Sequence, residues 1–198
     1  MAVNVYLHNH IREYFPASAS LFDQIMALRG ECYRHQKGRL TQRIVLGDKQ
    51  YFIKQHKGVG WKEIFKNVLQ GRWPVLSAKN EWCAIEKLKS VGIAVPVVVG
   101  YGERGVNPAR LESFILMEEL SPTTSLEEIS KSWEQSPPTF AAKQRLISEV
   151  ARIARLMHEN GINHRDFYIC HFATVGLFCH IPNATIRRLG ITRTIFSA

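Results

Sequence analysis

A change of hydrophobic pattern along the chain is the feature that most constrains the fold. The first part reads as β-prone runs, with a hairpin of strands at Arg39–Leu46 and Gln50–Lys54 joined by the turn residues Gly47-Asp48-Lys49. The longest helical pattern, Phe140–His158, comes later. This order predicts an α+β fold, in which an antiparallel sheet forms the first lobe and helices form the second.

The remaining predicted elements fit the same division. They are the helices Leu21–Leu28, Trp61–Leu69 and Ala78–Ser90, and the strands Val95–Tyr101 and Ser113–Met117. The segment Met117-Glu-Glu-Leu120 leaves the last strand and is predicted to connect the two lobes. In the long helix the apolar residues form one stripe that should pack inside the second lobe: Leu146, Val150, Ile153 and Met157.

The pattern divides the chain into four parts. They are an N-terminal extension, residues 1–28; a lobe of sheet and helix, residues 29–120; a partial helical lobe, residues 121–172; and a divergent tail, residues 173–198.

One lysine and one glutamate stand where they can meet. Lys54 is predicted to end the second hairpin strand, and Glu81 lies on the apolar face of the following helix with Ile85 and Leu88. A carboxylate on an inward face is costly unless it meets a cation. We therefore predict that Glu81 holds the Lys54 ammonium, which then reaches the phosphates of a bound nucleotide.

The segment after the long helix carries the residues of a phosphotransfer loop. It reads Gly161-Ile-Asn-His-Arg-Asp-Phe-Tyr-Ile-Cys-His-Phe172. In kinase-like enzymes such a loop supplies a carboxylate that accepts the proton of the attacking hydroxyl and a second group that helps to hold magnesium. Asp166 and His171 fit these roles. Arg165 is expected to pair with an anionic group, and His164 to pack internally.

The loop expected to cover the phosphates matches less well. Gly30 and Gly38 stand at its two ends, without the closely spaced glycines that let backbone amides approach a phosphate. The side-chain charges of Arg34, Lys37 and Arg39 are expected to compensate. With Lys54 and Glu81, the residues assigned to cofactor binding are Met117, Glu118 and Arg34.

The positive charge is concentrated in one third of the chain. Of the net charge of +9, residues 29–79 supply all, with 12 Lys and Arg against three acidic residues, while the rest balances at 14 against 14. Such a region attracts phosphates, a phosphorylated glycolipid, nucleic acid or an acidic protein. A solvated basic face is the alternative explanation of the charge.

Composition excludes several classes of protein. Hydrophobic residues make up 45% of the 198 and charged residues 22%, which is ordinary for a globular domain. The first ten residues lack the apolar core of a secretory signal, and the strongest apolar run, Ile93–Val99, is too short for a membrane span. Four scattered cysteines suit a reducing compartment, so a cytoplasmic location is expected.

Residues 11–172 resemble the lipopolysaccharide core heptose(I) kinase family. The resemblance rests on four segments: Lys57-Gly-Val-Gly-Trp-Lys-Glu-Ile-Phe-Lys-Asn67, Arg72-Trp-Pro-Val-Leu76, Asn80-Glu-Trp82 and Gly161–Phe172. It implies a protein-kinase-like two-lobed fold, ATP and Mg²⁺ as cofactors, and Asp166 as the catalytic aspartate. It also implies a heptose hydroxyl acceptor on a nascent glycolipid at the cytoplasmic face of the inner membrane. An acyl carrier protein is the acidic partner that it suggests.

The tail departs from that family. No Asp or Glu occurs in the 32 residues after Asp166, so the downstream magnesium carboxylate of the family has no counterpart. Ala173–Ala198 also lacks a clear amphipathic period and a helix cap. We interpret this tail as the product of a frameshift, and we expect an incomplete second lobe and an inactive or impaired kinase.

Three other functions remain open from the sequence. The chain can be a phosphotransferase for another sugar or an aminoglycoside, because the catalytic loop does not encode the acceptor. It can be a non-catalytic, pseudokinase-like protein that binds nucleotide or an acidic partner through residues 29–79. A nucleic-acid binder is disfavoured, because no recognition helix or aromatic stacking module accompanies the basic region.

Overall fold

The structure is a computed structural model of the 198-residue chain. It describes residues 3–36, 38–71, 75–120, 123–163, 167–175, 178–180, 185–188 and 191–192. These residues form two compact units, one of residues up to Trp82 together with Val97–Glu119, the other of Cys83–Pro96 and the chain from Leu120 onward. The predicted boundaries at residues 28, 120 and 172 stay predictions.

A six-stranded antiparallel sheet forms the first unit. Its strands are β1 Val3–Leu7, β2 Glu31–Gln36, β3 Arg39–Leu46, β4 Lys49–Lys57, β5 Val98–Arg104 and β6 Glu112–Glu118. They lie side by side in the order β1-β5-β6-β4-β3-β2. All five pairings are antiparallel. The predicted hairpin and the two later strands therefore belong to one sheet, as the sequence indicates.

Strand β4 is longer than predicted. The turn between β3 and β4 pairs Leu46 with Lys49 and contains Gly47, whose φ of 64° suits a glycine. The strand then continues to Lys57, so Lys54 lies inside it and does not end it. The continuation was missed because Lys54-Gln55-His56-Lys57 is polar throughout, so no alternation of apolar residues marks it, although Gln55 and His56 are buried.

The N-terminal segment is part of the sheet's core. The sequence predicts residues 1–28 as an extension, whereas β1 pairs along its whole length with β5. Two short helices follow, α1 Asn9–Arg12 and α2 Leu21–Ala27. Their side chains Ile11, Phe22 and Ile25 are fully buried against the sheet. The five-residue strand was missed because no turn signal marks its ends.

Two buried amides fix α2 to the centre of the sheet. Gln42 of β3 donates to Gln55 of β4 at 3.1 Å, and Gln55 donates to the carbonyl of Ile25 at 2.9 Å. Gln42 also accepts from the backbone nitrogen of Gly30 at 3.1 Å. Because unpaired amides are costly in a core, this network specifies how the helix sits on the sheet.

Two helices of the first part match the sequence prediction. Helix α3 spans Trp61–Leu69, as predicted, and α4 spans Lys79–Ser90. Within α4 the residues predicted to face inward are indeed buried: Glu81, Ile85 and Leu88.

The second unit is built on the long helix. It contains α5 Leu126–Lys131, α6 Phe140–Glu159 and two small sheets of short strands, β7 Thr124–Ser125, β8 Ile162–Asn163, β9 Ala173–Val175, β10 Phe178–His180, β11 Thr185–Arg188 and β12 Ile191–Thr192. In α6 the predicted stripe packs into a core with Leu126, Ile162 and Phe172. No described helix is both long enough and apolar enough to cross a bilayer.

Gly30 allows the closest backbone approach in the first unit. A Cβ added there would lie 2.0 Å from the carbonyl oxygen of Arg43. We predict that Gly30→Ala lowers the free energy of unfolding by about 2–3 kcal/mol, because the backbone of β3 must move. Gly71→Ala is the control, since its methyl meets nothing within 4 Å and the residue, just after the C-cap of α3, carries only the cost of a positive φ, about 1 kcal/mol. Equal losses in chemical denaturation would contradict this prediction.

Candidate functional site

The Lys54–Glu81 pair predicted from the sequence is present. The Lys54 Nζ lies 2.7 Å from Glu81 Oε1, and the two side chains are 19% and 6% exposed. Lys54 projects from the middle of β4, opposite Thr41 on one side and Ile115 on the other. The attraction between two charges offsets the cost of removing them from water only when their geometry is good. The 2.7 Å separation of Lys54 and Glu81 meets this condition.

The start of α4 is fastened to the sheet, and this places Glu81. The backbone nitrogen of Ala78 donates to Oγ of the fully buried Ser113 at 2.9 Å. The hydroxyl of Ser77 bonds to the Glu103 carboxylate and accepts from the nitrogen of Lys79 at 3.0 Å. One turn later, Glu81 therefore stands over strand β4 in a fixed position.

A neutral histidine lies on the same face of the sheet. His56 follows Lys54 by two residues, so both side chains leave β4 on one face. Burial, with the nearby charges of Arg39 and Lys54, lowers the pKa of His56 from 6.5 to about 3. Its Nδ1 is buried without a hydrogen-bond partner.

Arg39 adds a second cation, which is half-buried like Lys54. It lies opposite His56 in the β3–β4 pairing and donates through Nη2 to the carbonyl of Val75 at 2.8 Å. Burial lowers the pKa of this guanidinium, while the carboxylate of Glu63 acts in the opposite direction. The face that carries Lys54 is therefore partly shielded from water and positive, which favours an anionic ligand such as a phosphate.

Arg34 lies in the same row of the sheet as Lys54. It pairs with Thr41, which pairs in turn with Lys54, so the three side chains share a face. Arg34 is exposed and stands two strands away from Lys54. Lys37, at the tip of the predicted phosphate loop, is outside the described residues. The assignment of Arg34 to cofactor binding stays a prediction.

Met117 and Glu118 belong to the sheet and not to the connector. They are the last residues of β6, paired with Phe52 and Tyr51 of β4. Glu118 also donates its backbone nitrogen to the carbonyl of Val97 at 2.9 Å, which extends the strand on its other side. Because β6 is hydrogen-bonded on both sides up to Glu118, the prediction that the connector starts at Met117 is wrong. Their roles toward a nucleotide stay predictions.

The catalytic-loop assignments lie largely beyond the described residues. His164, Arg165 and Asp166 are outside them. His171 ends a short 3₁₀ turn in the second unit, is half-buried, and has its ring 6.3 Å from that of Tyr168. In the described part of the chain no three metal-ligating side chains cluster. The metal role of His171 therefore stays a prediction.

Sequence reasoning missed two residues of the Lys54 face. His56 carried a signal, since it follows Lys54 at a spacing of two on the same strand. Ser113 carried none, because its bond to the start of α4 depends on the register between β4 and β6.

Comparison with known sequences identifies the family. The sequence profile described as "Lipopolysaccharide kinase (Kdo/WaaP) family" matches residues 23–175. The chain belongs to this family. Its predicted resemblance to that family is thereby confirmed.

Curated members of the Kdo/WaaP family are close in sequence. "Lipopolysaccharide core heptose(I) kinase WaaP" of Pseudomonas aeruginosa is 48% identical over 151 residues, which are 76% of this chain and 56% of that protein. The enzyme of the same name from Escherichia coli K12 is 48% identical over 161 residues, 81% of this chain and 59% of that protein. The chain thus spans little more than half the length of these relatives.

A solved member of the family has the same fold. The structure "WaaP in complex with acyl carrier protein" aligns with a TM-score of 0.76 at 34% identity, over 93% of this chain and 73% of that one. This likeness, with the antiparallel sheet and the helices described above, confirms the predicted α+β, kinase-like fold.

The buried His56 makes stability depend on pH. The unfolded chain takes up a proton on this residue below pH 6.5, whereas the folded chain does so only near pH 3. The folded state therefore loses stability as the pH falls through this range. From pH 6.5 to about 5, we predict that the wild-type free energy of unfolding falls by about 1.5 kcal/mol more than that of His56→Gln.

Chemical denaturation at several pH values measures this difference. His35→Gln is the control, because His35 is exposed on β2. Parallel pH profiles for the wild type and His56→Gln would contradict the prediction.

Proposed function

We propose that this chain is an ATP-dependent kinase that phosphorylates a heptose of the lipopolysaccharide inner core. The observation that carries the proposal is the buried ion pair between Lys54 and Glu81 on the sheet of a Kdo/WaaP family member. In kinase-like enzymes a strand lysine, held by a helix glutamate, contacts the nucleotide phosphates.

The residues around Lys54 fit the phosphates of ATP. The Glu81 carboxylate lies 2.7 Å from the Lys54 ammonium and restricts the conformations of the lysine side chain. His56 stays neutral, so it does not repel the two nearby cations, and the half-buried Arg39 adds to the positive potential. A polyphosphate bound at this face would meet a fixed cation in a low-dielectric setting, where electrostatic attraction is strongest. We assign residues 29–120 to this nucleotide-binding lobe.

The chemical step is assigned to the loop after α6. Asp166 accepts the proton of the attacking sugar hydroxyl and orients it in line with the transferred phosphate. Arg165 pairs with an anionic group of a neighbouring loop. Mg²⁺, when bound, neutralises the charge on the phosphates, and His171 is the residue proposed to help hold it. These three roles rest on the sequence of residues 161–172.

The acceptor is inferred from the relatives. Two curated relatives at 48% identity are named lipopolysaccharide core heptose(I) kinases. By analogy, the substrate is a nascent core glycolipid anchored in the inner membrane by its lipid A part. The chain would then act from the cytoplasmic face of that membrane.

An acyl carrier protein is the proposed protein partner. The solved family member at 34% identity is in complex with acyl carrier protein. The net positive charge of residues 29–79 offers complementary charge to an acidic protein. Charge complementarity of this kind mainly raises the rate of association.

A nucleotide-binding protein without catalytic activity is the second candidate. It is favoured by the lack of any Asp or Glu in residues 167–198, since phosphotransferases of this kind use a second carboxylate to hold magnesium. In this case ATP binds at Lys54 without turnover.

Transfer of labelled phosphate from ATP to dephosphorylated core glycolipid tests the proposal. We predict that Lys54→Met and Asp166→Ala each lower the rate at least about a hundredfold, because they remove phosphate positioning and the general base. Lys49→Met is the matched control, since Lys49 is an exposed lysine of the same strand, and it should keep the wild-type rate.

The other outcomes separate the rival functions. Labelling of an aminoglycoside in preference to the glycolipid would reassign the acceptor. ATP binding that Lys54→Met weakens, with no labelling of any acceptor, would establish the non-catalytic role. Activity that survives Asp166→Ala would contradict the assigned base.

A further inference from the structure

Helix α3 turns its apolar side to solvent. Four of its residues form what we call the α3 stripe: Trp61, Phe65, Val68 and Leu69. Each is about half exposed or more, and Leu69 is 87% exposed. They recur at positions i, i+4, i+7 and i+8, so they lie along one side of the helix. Isolated apolar residues are common on surfaces, but four exposed apolar residues along one side of a helix form a contiguous strip, which is typical of a docking surface.

The stripe is held outward by the loop before the helix. Backbone nitrogens of Gly58 and Gly60 donate to the carbonyls of Leu111 and Ala109 at 2.9 and 3.0 Å. A Cβ on Gly58 would lie 2.6 Å from the carbonyl oxygen of Ala109. Ile64 is the α3 residue that packs inside. These close backbone contacts fix the orientation of α3, so the helix cannot rotate to bury its stripe.

Basic side chains border the stripe. Lys62 and Lys66 are exposed and follow one edge of it. Glu63 is the acidic residue of the helix, and it is engaged by Asn67 at 3.0 Å and by Lys66 at 4.0 Å. The helix also lies within residues 29–79, which carry all of the net positive charge. Apolar and aromatic residues beside lysines are the composition of a helix that lies in the interface of an anionic bilayer.

We propose that α3 docks the chain on the surface of an anionic phospholipid membrane, with the α3 stripe inserted among the lipid chains. The stripe lies on a convex helix, so a folded partner would need a groove that matches it. A fluid bilayer adapts to a convex surface and needs no such groove. Lys62 and Lys66 then remain at the level of the anionic headgroups. The inference deepens the proposed function, on which it rests in part, because a lipid-linked acceptor lies in the membrane.

Vesicle flotation with the full chain tests the membrane site without any turnover. The probes are vesicles of phosphatidylcholine alone and of phosphatidylcholine mixed with phosphatidylglycerol. The wild type should float with the mixed vesicles. Phe65→Ser/Leu69→Ser should lower the partition coefficient about tenfold or more, because two apolar side chains no longer insert. The control Phe140→Ser/Val106→Ser changes residues that are 78% and 87% exposed elsewhere and should float like the wild type.

A second pair of variants tests the charge. Lys62→Gln/Lys66→Gln should weaken flotation with mixed vesicles about tenfold. Lys89→Gln/Lys143→Gln removes the same net charge from exposed positions outside α3 and should change it little. Circular dichroism and thermal unfolding confirm that each variant is folded.

Several results would overturn the proposal. One is a wild-type chain that does not float with the anionic vesicles. Another is equal flotation of the α3 variants and their controls. A third is that Phe65→Ser/Leu69→Ser leaves flotation unchanged but abolishes self-association or binding to an acidic carrier protein. The stripe would then be a protein-binding surface and not a membrane site. Flotation without phosphate transfer would contradict the proposed function alone and leave the membrane site standing.

Discussion

The ion pair between Lys54 and Glu81 is the interaction on which the proposed nucleotide site of the first unit depends. Removing two charges from water costs about as much as their attraction returns, so such a pair is a poor source of stability. Its side chains are nevertheless only 19% and 6% exposed, and the bonds of Ser77 and Ala78 at the start of α4 serve to bring Glu81 to it. We propose that this pair is present for what it positions, a cation for the phosphates of a nucleotide.

The rest of the first unit keeps that pair in place. The buried amides Gln42 and Gln55 join the central strands to α2, and the N-terminal segment covers the opposite face of the sheet. One face of the sheet is thus an apolar core, and the other carries Lys54, Arg39 and the neutral His56. Helix α3, by contrast, contributes little to the core and presents its apolar stripe outward. The same unit therefore separates residues that stabilise the fold from residues that are available to ligands.

Local patterns in the sequence predicted most of the fold. The helical period predicted Trp61–Leu69 and Phe140–His158 to within one residue of the helices in the structure. The position of Glu81 on the inward face of its helix predicted that it pairs with Lys54. Features that depend on non-local register were missed, among them the edge strand β1 and the bond from Ala78 to Ser113. The outward stripe of α3 was missed too, because the sequence shows that a helix is amphipathic but not which side faces solvent.

A double-mutant cycle on ATP affinity shows whether Glu81 acts by holding Lys54. The variants are Lys54→Met, Glu81→Gln and the double substitution, each checked for folding by thermal unfolding. We expect that Glu81→Gln weakens ATP binding about tenfold in the wild type and has almost no effect once Lys54 is replaced. Unchanged ATP affinity in Glu81→Gln, or effects of the two substitutions that simply add, would contradict it.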